Sequence, residues 1–136
     1  GGNDIGEYPT RDKLEYSVLN HSILYKKPVL GICRGMQSML IHQKFELHPL
    51  SGHVNARHNI FFHNQDEIAI EVNSFHNYGI NTALINHSFK VIASSEDDIT
   101  EEIKHLDYPW SGIMWHPERE KHLKDYDRNL FLKLFS

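Results

Sequence analysis

Apolar residues follow several different rhythms along this chain, and each rhythm predicts an element. From Thr10 to Tyr25, Leu14, Val18, Ile23 and Tyr25 recur at roughly helical spacing; Thr10 can cap the start, and Lys26-Lys27-Pro28 ends the run. Val29 to Ile32 (VLGI) is apolar throughout, the pattern of a parallel strand covered on both faces, although so short a run does not exclude a buried helical segment. Arg34 to Phe45 continues without a turn signal as a second helix, with Met36, Met39, Leu40 and Gln43 three to four residues apart. Pro49 and Ser51-Gly52 then mark residues 45–59 as loop. Glu67 to Val72 alternates Ile68, Ile70 and Val72 as a half-buried strand, and Phe89 to Ser94 reads as another. The polar stretch EDDITEEIKHL (96–106) suits a short helix or a hairpin. Ser111 to Trp115 is a further strand stopped by Pro117, and Tyr126 to Phe135 closes as an amphipathic helix with Leu130, Phe131, Leu134 and Phe135 on its apolar side.

A buried apolar strand between helices, followed by shorter strands, implies an α/β fold with a mostly parallel sheet flanked by helices. Residues 1–136 fit a single domain. A doubly wound domain normally places further strands before its first functional loop, so N-terminal strands are expected to be missing and the domain to be partial. Composition narrows the function. The chain is 40% apolar and 24% charged, and its formal charge of -4 argues against a nucleic-acid binder, which needs a basic face. No apolar run is long enough to span a membrane and no secretory leader is visible. A single cysteine excludes an internal disulfide and suits a reducing, cytoplasmic setting. Eleven histidines are unusual, but most stand in polar contexts. His53, His58 and His63 are spaced five and five, which fits neither helix face, and a strand period would separate His58 from His63; they read as solvent or satisfied histidines rather than a metal site.

The lone cysteine stands in GICRG (31–35), a Gly-x-nucleophile-x-Gly turn between the apolar strand and the second helix. Two glycines there allow a tight turn to pack against the sheet, leaving Cys33 at the tip beside a helix N-terminus whose N–H groups should lower the thiol pKa. A thiol nucleophile needs a base and an orienting group. MWHPERE supplies both: His116 directly follows a strand, and Glu118 is two residues on across the stiff Pro117.

These residues carry a resemblance. PVLGICRGMQ, VNSFHNYGI and GIMWHPERE, in this order, resemble the class I glutamine amidotransferase family with its Cys-His-Glu triad, most closely its γ-glutamyl hydrolase branch, which includes γ-glutamyl-γ-aminobutyrate hydrolases. The resemblance implies a flavodoxin-like fold. It also implies Cys33 as nucleophile, His116 as base and then acid, and Glu118 as orienter. Gly2 matches the oxyanion loop, acting with the Arg34 N–H; Gln37 matches a glutamine that helps hold the glutamyl group. Asn73, Ser74, Phe75 and His76 match the segment facing the glutamyl amino and carboxylate end, with backbone contacts around Ser74 and Phe75 favoured. The family commonly has a second Gly-Gly strand after the nucleophile helix; here LHPLSGHVNARHN replaces it and reshapes the wall around His53 and His58. The implied activity is cleavage of a small γ-glutamyl conjugate through a Cys33 thioester, without metal or other cofactor. A narrower version is a nucleotide-linked γ-glutamyl amidate of surface-polysaccharide biosynthesis. Two alternatives stand beside it: a glutaminase unit feeding ammonia to a synthetase partner, and a non-catalytic binding module of the same fold. The expected partner is the small-molecule substrate, with no nucleic acid and no membrane, and a homo-oligomer is compatible with the sequence.

Overall fold

The structure, a computed structural model, describes residues 4–64 and 68–136. Its elements run α1 (Pro9–Tyr25), β1 (Val29–Ile32), α2 (Arg34–His42), β2 (His48–Pro49), β3 (Ala56–Phe62), β4 (Ala69–Ser74), β5 (Tyr78–Gly79), β6 (Phe89–Ser95), β7 (Thr100–His105), β8 (Trp110–Ile113) and α3 (Asp125–Phe135). Six strands form one sheet in the order β1-β8-β7-β6-β3-β4, and β2 pairs with β5 apart from it.

The α/β class holds, but the described sheet is not mostly parallel. Only β1 and β8 run parallel, with Val29 opposite Trp110 and Ile32 opposite Ile113; the remaining neighbours are antiparallel. The reason is connection length. Residues 96–99 and 106–109 are too few to cross over a sheet, so β6–β7 and β7–β8 can only be hairpins, whereas β1 and β8 are far apart in the chain and are free to pair in parallel. EDDITEEIKHL is therefore hairpin, not helix. The last four residues of the expected loop at 45–59 also join the sheet, as the start of β3.

Helices cover both faces. α1 and α2 pack over a core containing Met36, Met39, Leu40, Ile103, Trp110 and Met114. Tyr126 and Leu130 of α3 pack on the other face against Ile60, Phe62, Ile113 and Trp115. Full burial of each such side chain contributes about 1.5–3 kcal/mol. α1 docks on a different face from the one its apolar spacing suggests: Leu14, Val18 and Tyr25 are exposed, while Leu19 and Ser22 are buried and Ile23 packs on the core. Ile23 lies about half a turn around from Leu14, and the docked side also carries Asp12 and Glu15, which reach Arg34 of α2. Polar pairing thus outweighs the apolar stripe. Thr10 is not the cap; Tyr8 holds that position, and Pro9 opens the helix with a preset φ. In α3, Phe135 is exposed and the buried position is Asp127, whose Oδ1 accepts the Trp115 indole N–H at 2.8 Å. No described helix is long and apolar enough to cross a membrane.

Candidate active site

The parallel pair β1–β8 brings the two chemical motifs to one edge of the molecule, because both strands end toward it. Cys33 follows β1 directly, its N–H bonded to the Ile113 carbonyl at 2.7 Å, and His116 stands three residues beyond Ile113. Cys33 caps α2 with φ 52° and ψ -100°, a conformation that a side chain adopts only under strain. Gly31 makes the turn feasible: a Cβ there would lie 2.6 Å from the Gly35 carbonyl carbon and 2.7 Å from the Met36 nitrogen. Gly35 carries no such demand, since a Cβ on it would meet nothing within 4 Å. The steric requirement expected of both glycines falls on one.

Cys33 is buried, and burial pushes its thiol pKa up; the Arg34 N–H and the Arg119 charge pull down, and Glu101 adds to the rise. The expected lowering by the helix end is thus present but outweighed in this state. Arg34 itself is buried, and its guanidinium pairs with Asp12 and, at 3.0 Å, with Glu15, so its side chain anchors α1 while its backbone serves the cysteine.

His116 is buried and oriented. Its Nδ1–H donates to Glu118 Oε1 at 2.6 Å, which leaves Nε2 as a buried lone pair with no hydrogen-bond partner among the described residues. Burial lowers the His116 pKa and the Glu118 carboxylate opposes that shift. Burial also presses on Glu118, but the bond from His116 holds its carboxyl below the ordinary value.

Sequence reasoning missed the group that holds this histidine. Asn73 Oδ1 accepts the His116 backbone N–H at 2.8 Å, and Asn73 Nδ2 donates to the His116 carbonyl and to Glu120 Oε1, each at 2.8 Å. Glu120 is held in turn by Arg57 at 3.0 Å. The Asn73 side chain is therefore spent on the protein, not offered to a glutamyl group. Ser74 Oγ likewise donates to the His53 carbonyl at 2.7 Å, and His76 is buried facing Glu101. Phe75 stays beside the site, its ring 5.9 Å from that of His116 with the Arg119 guanidinium 4.4 Å above it. Gln37, one turn along α2, donates to the Tyr78 carbonyl at 3.1 Å and so ties β5 to the nucleophile helix. Gly2 lies outside the described residues. Of the three spaced histidines, His53 and His58 come together with ring centroids 5.1 Å apart, whereas His63 turns away to Ser94 Oγ at 2.8 Å. A cleft of about 690 Å³ lies elsewhere, between α3 and the sheet near Lys90, Glu102, Lys104 and Tyr126.

The comparisons agree with the motifs. Peptidase C26 matches residues 4–118. The chain is 33% identical over 131 residues to gamma-glutamyl-CDP-amidate hydrolase of Campylobacter jejuni, covering 92% of this chain and 62% of that protein. It is 23% identical to gamma-glutamyl-gamma-aminobutyrate hydrolase of Escherichia coli, covering 86% and 56% respectively. Among solved structures, a glutamine amidotransferase of Methylobacillus flagellatus superposes with a TM-score of 0.72 at 16% identity, over 90% of this chain and 51% of that one, which shows a shared fold. The chain thus spans less than two thirds of the length of each of these relatives. With the match covering most of its length and the turn, the histidine and the glutamate motifs all inside it, the chain belongs to the peptidase C26 family.

Proposed function

We propose that this chain carries the catalytic centre of a cysteine-dependent hydrolase of γ-glutamyl amides. The observation that carries the reading is the strained Cys33 elbow at the end of β1 together with, past the end of its parallel neighbour β8, a buried His116 whose Nδ1 is committed to Glu118 and whose Nε2 is unspent among the described residues. In the proposed reaction, His116 Nε2 takes the Cys33 proton and the sulfur attacks the γ-carbonyl carbon. The Arg34 N–H, with the expected help of Gly2, steadies the oxyanion. Collapse breaks the C–N bond, and the proton on His116 goes to the leaving nitrogen. Water, deprotonated by His116, then attacks the thioester; glutamate leaves and the thiol is restored. Glu118 holds the imidazole in the tautomer both steps need.

The Campylobacter relative's name supports the narrower reading, a γ-glutamyl amidate linked to a cytidine diphosphate as substrate. Mass spectrometry of the full-length protein incubated with a panel of γ-glutamyl amides, nucleotide-linked ones included, tests both levels. A glutamyl adduct on Cys33 and free glutamate are expected, both absent in C33A. Undiminished turnover by C33A overturns the mechanism, and turnover of glutamine only when a synthetase is added would make the chain a glutaminase unit instead.

A further inference from the structure

β7 carries two adjacent buried carboxylates that, as neighbours on a strand, point to opposite faces. Glu102 meets Tyr126 of α3. Glu101 turns the other way, and three imidazoles converge on it: His53 from the loop before β3, His58 from β3 and His76 from just past β4. Its Oε1 lies 3.6 Å from His53 Nδ1, 3.4 Å from His58 Nε2 and 3.6 Å from His76 Nε2, and the four atoms all fall within 4.8 Å of one another. These separations are too long for N–H···O bonds, which end near ~3.2 Å. They approach the edge of a tetrahedron, about 3.3 Å, drawn around an ion with bonds of about 2.0–2.1 Å. All four atoms are buried and, among the described residues, have no hydrogen-bond partner, nor has Glu101 Oε2.

The far side of each ring fixes its proton. His53 Nε2 faces Asp97 Oδ2 at 2.9 Å, His58 Nδ1 the Asn59 carbonyl at 3.2 Å and His76 Nδ1 the Tyr78 carbonyl at 3.1 Å. A carboxylate or carbonyl oxygen only accepts, so each far nitrogen carries a hydrogen and each near nitrogen of a neutral ring presents a lone pair. Three lone pairs and a carboxylate facing one another repel, so the cluster demands positive charge. One proton, however, satisfies one pair, and three would crowd three imidazoliums around a single buried carboxylate. One divalent ion satisfies every group. Oriented histidines, each holding an oxygen with its outer nitrogen, are the surroundings metal ligands require.

We propose that His53, His58, His76 and Glu101 form a closed four-ligand site for Zn²⁺, a structural metal that the sequence-level expectation of no metal did not foresee. Three nitrogens and one oxygen in tetrahedral reach suit zinc over the octahedral oxygen-seeking ions. The ion ties the His53 loop, β3, the segment after β4 and β7 into one wall, three residues from the Asn73 that holds His116. It also offsets the Glu101 charge felt by Cys33.

The test uses the full-length protein, stripped with a chelator, given one equivalent of Zn²⁺ and desalted. One zinc per chain is expected, with a higher unfolding temperature than the stripped protein. Cobalt loading should give the strong visible bands of a four-coordinate ion without a sulfur charge-transfer band. E101Q and H76A should lose the metal, whereas H63A and C33A should keep it, so the site and the hydrolase reading fail separately. Because the buried variants can also lose the fold, D97N provides a milder probe: Asp97 is half-exposed, and its loss should weaken zinc affinity about 10-fold or more. Wild-type protein that retains little zinc, a six-coordinate cobalt spectrum, or unchanged binding by D97N, E101Q and H76A together would overturn the proposal.

Discussion

Replacing Asn73 by alanine separates a residue that positions the histidine from one that binds substrate. The substitution removes the acceptor of the buried His116 N–H and one of the two donors to its carbonyl, each at 2.8 Å; the carbonyl keeps the Arg119 N–H at 3.1 Å. Leaving a buried polar group unpaired costs about 1–3 kcal/mol, and only the His116 N–H is left so, hence N73A should lose about 1–3 kcal/mol of stability. The third bond, to Glu120, adds little, since Glu120 keeps Arg57 and lies near solvent. That loss falls within a typical stability of about 5–15 kcal/mol, so the variant remains assayable as a folded protein at low temperature. Catalysis should suffer through the histidine: a shift of about 1 Å in a reacting group costs about 100-fold. Urea unfolding and steady-state kinetics on a γ-glutamyl amide read both effects. We expect a lower unfolding midpoint and a kcat reduced about 100-fold, with KM within a few-fold of wild type. A glutamyl-binding Asn73 would give the opposite pattern, a raised KM with an unchanged midpoint. That result would refute the assignment.

Three further outcomes follow from the same geometry. In E118Q the carboxylate that props up the His116 pKa is gone, so burial acts unopposed and the acid limb of kcat/KM should move to lower pH, while kcat falls about 100-fold; an unmoved limb contradicts the His116–Glu118 pairing. Glu102 is raised to about 7, chiefly by burial and with Asp127 adding to it, from 4.5 when free. A carboxyl raised on folding favours the protonated native state below its unfolded pKa and loses that advantage as pH climbs through the folded one. E102Q should therefore gain on wild type between pH 4.5 and about 8, approaching ~3 kcal/mol in denaturant titrations, and a difference independent of pH would be fatal to this account. G31A forces a Cβ into the Gly35 and Met36 backbone, which has no flexible end to swing aside; a loss of at least about 1–3 kcal/mol is expected, against little change for G35A, which meets open space.

What was legible in the sequence was local. The β1 run, the Gly31 turn and the His116-Pro117-Glu118 spacing each lie within a few residues, so short-range chemistry specifies them. What was hidden depends on strand register. Asn73 and His116 are forty-three positions apart and meet although three strands stand between β4 and β8 in the sheet. The docked face of α1 was misjudged because it is chosen by Asp12 and Glu15 reaching Arg34, a pairing no helical period displays.

The most instructive stretch is EDDITEEIKHL, polar in sequence and hairpin in the fold. Glu101 and Glu102 are 0% and 3% exposed. A bare carboxylate in such a place is expensive enough that the surroundings must answer it. The two faces of β7 answer differently. On one, burial drives Glu102 toward its neutral acid, with the Tyr126 hydroxyl donating to it at 2.6 Å. On the other, burial also opposes the charge, yet the histidines hold Glu101 ionised. Adjacent residues of the same type thus reach opposite charge states because the strand delivers them to opposite sides. Only the ionised side, ringed by three imidazole nitrogens, offers an ion of charge two a set of ligands. Polarity in the chain is there a sign of chemistry and not of solvent.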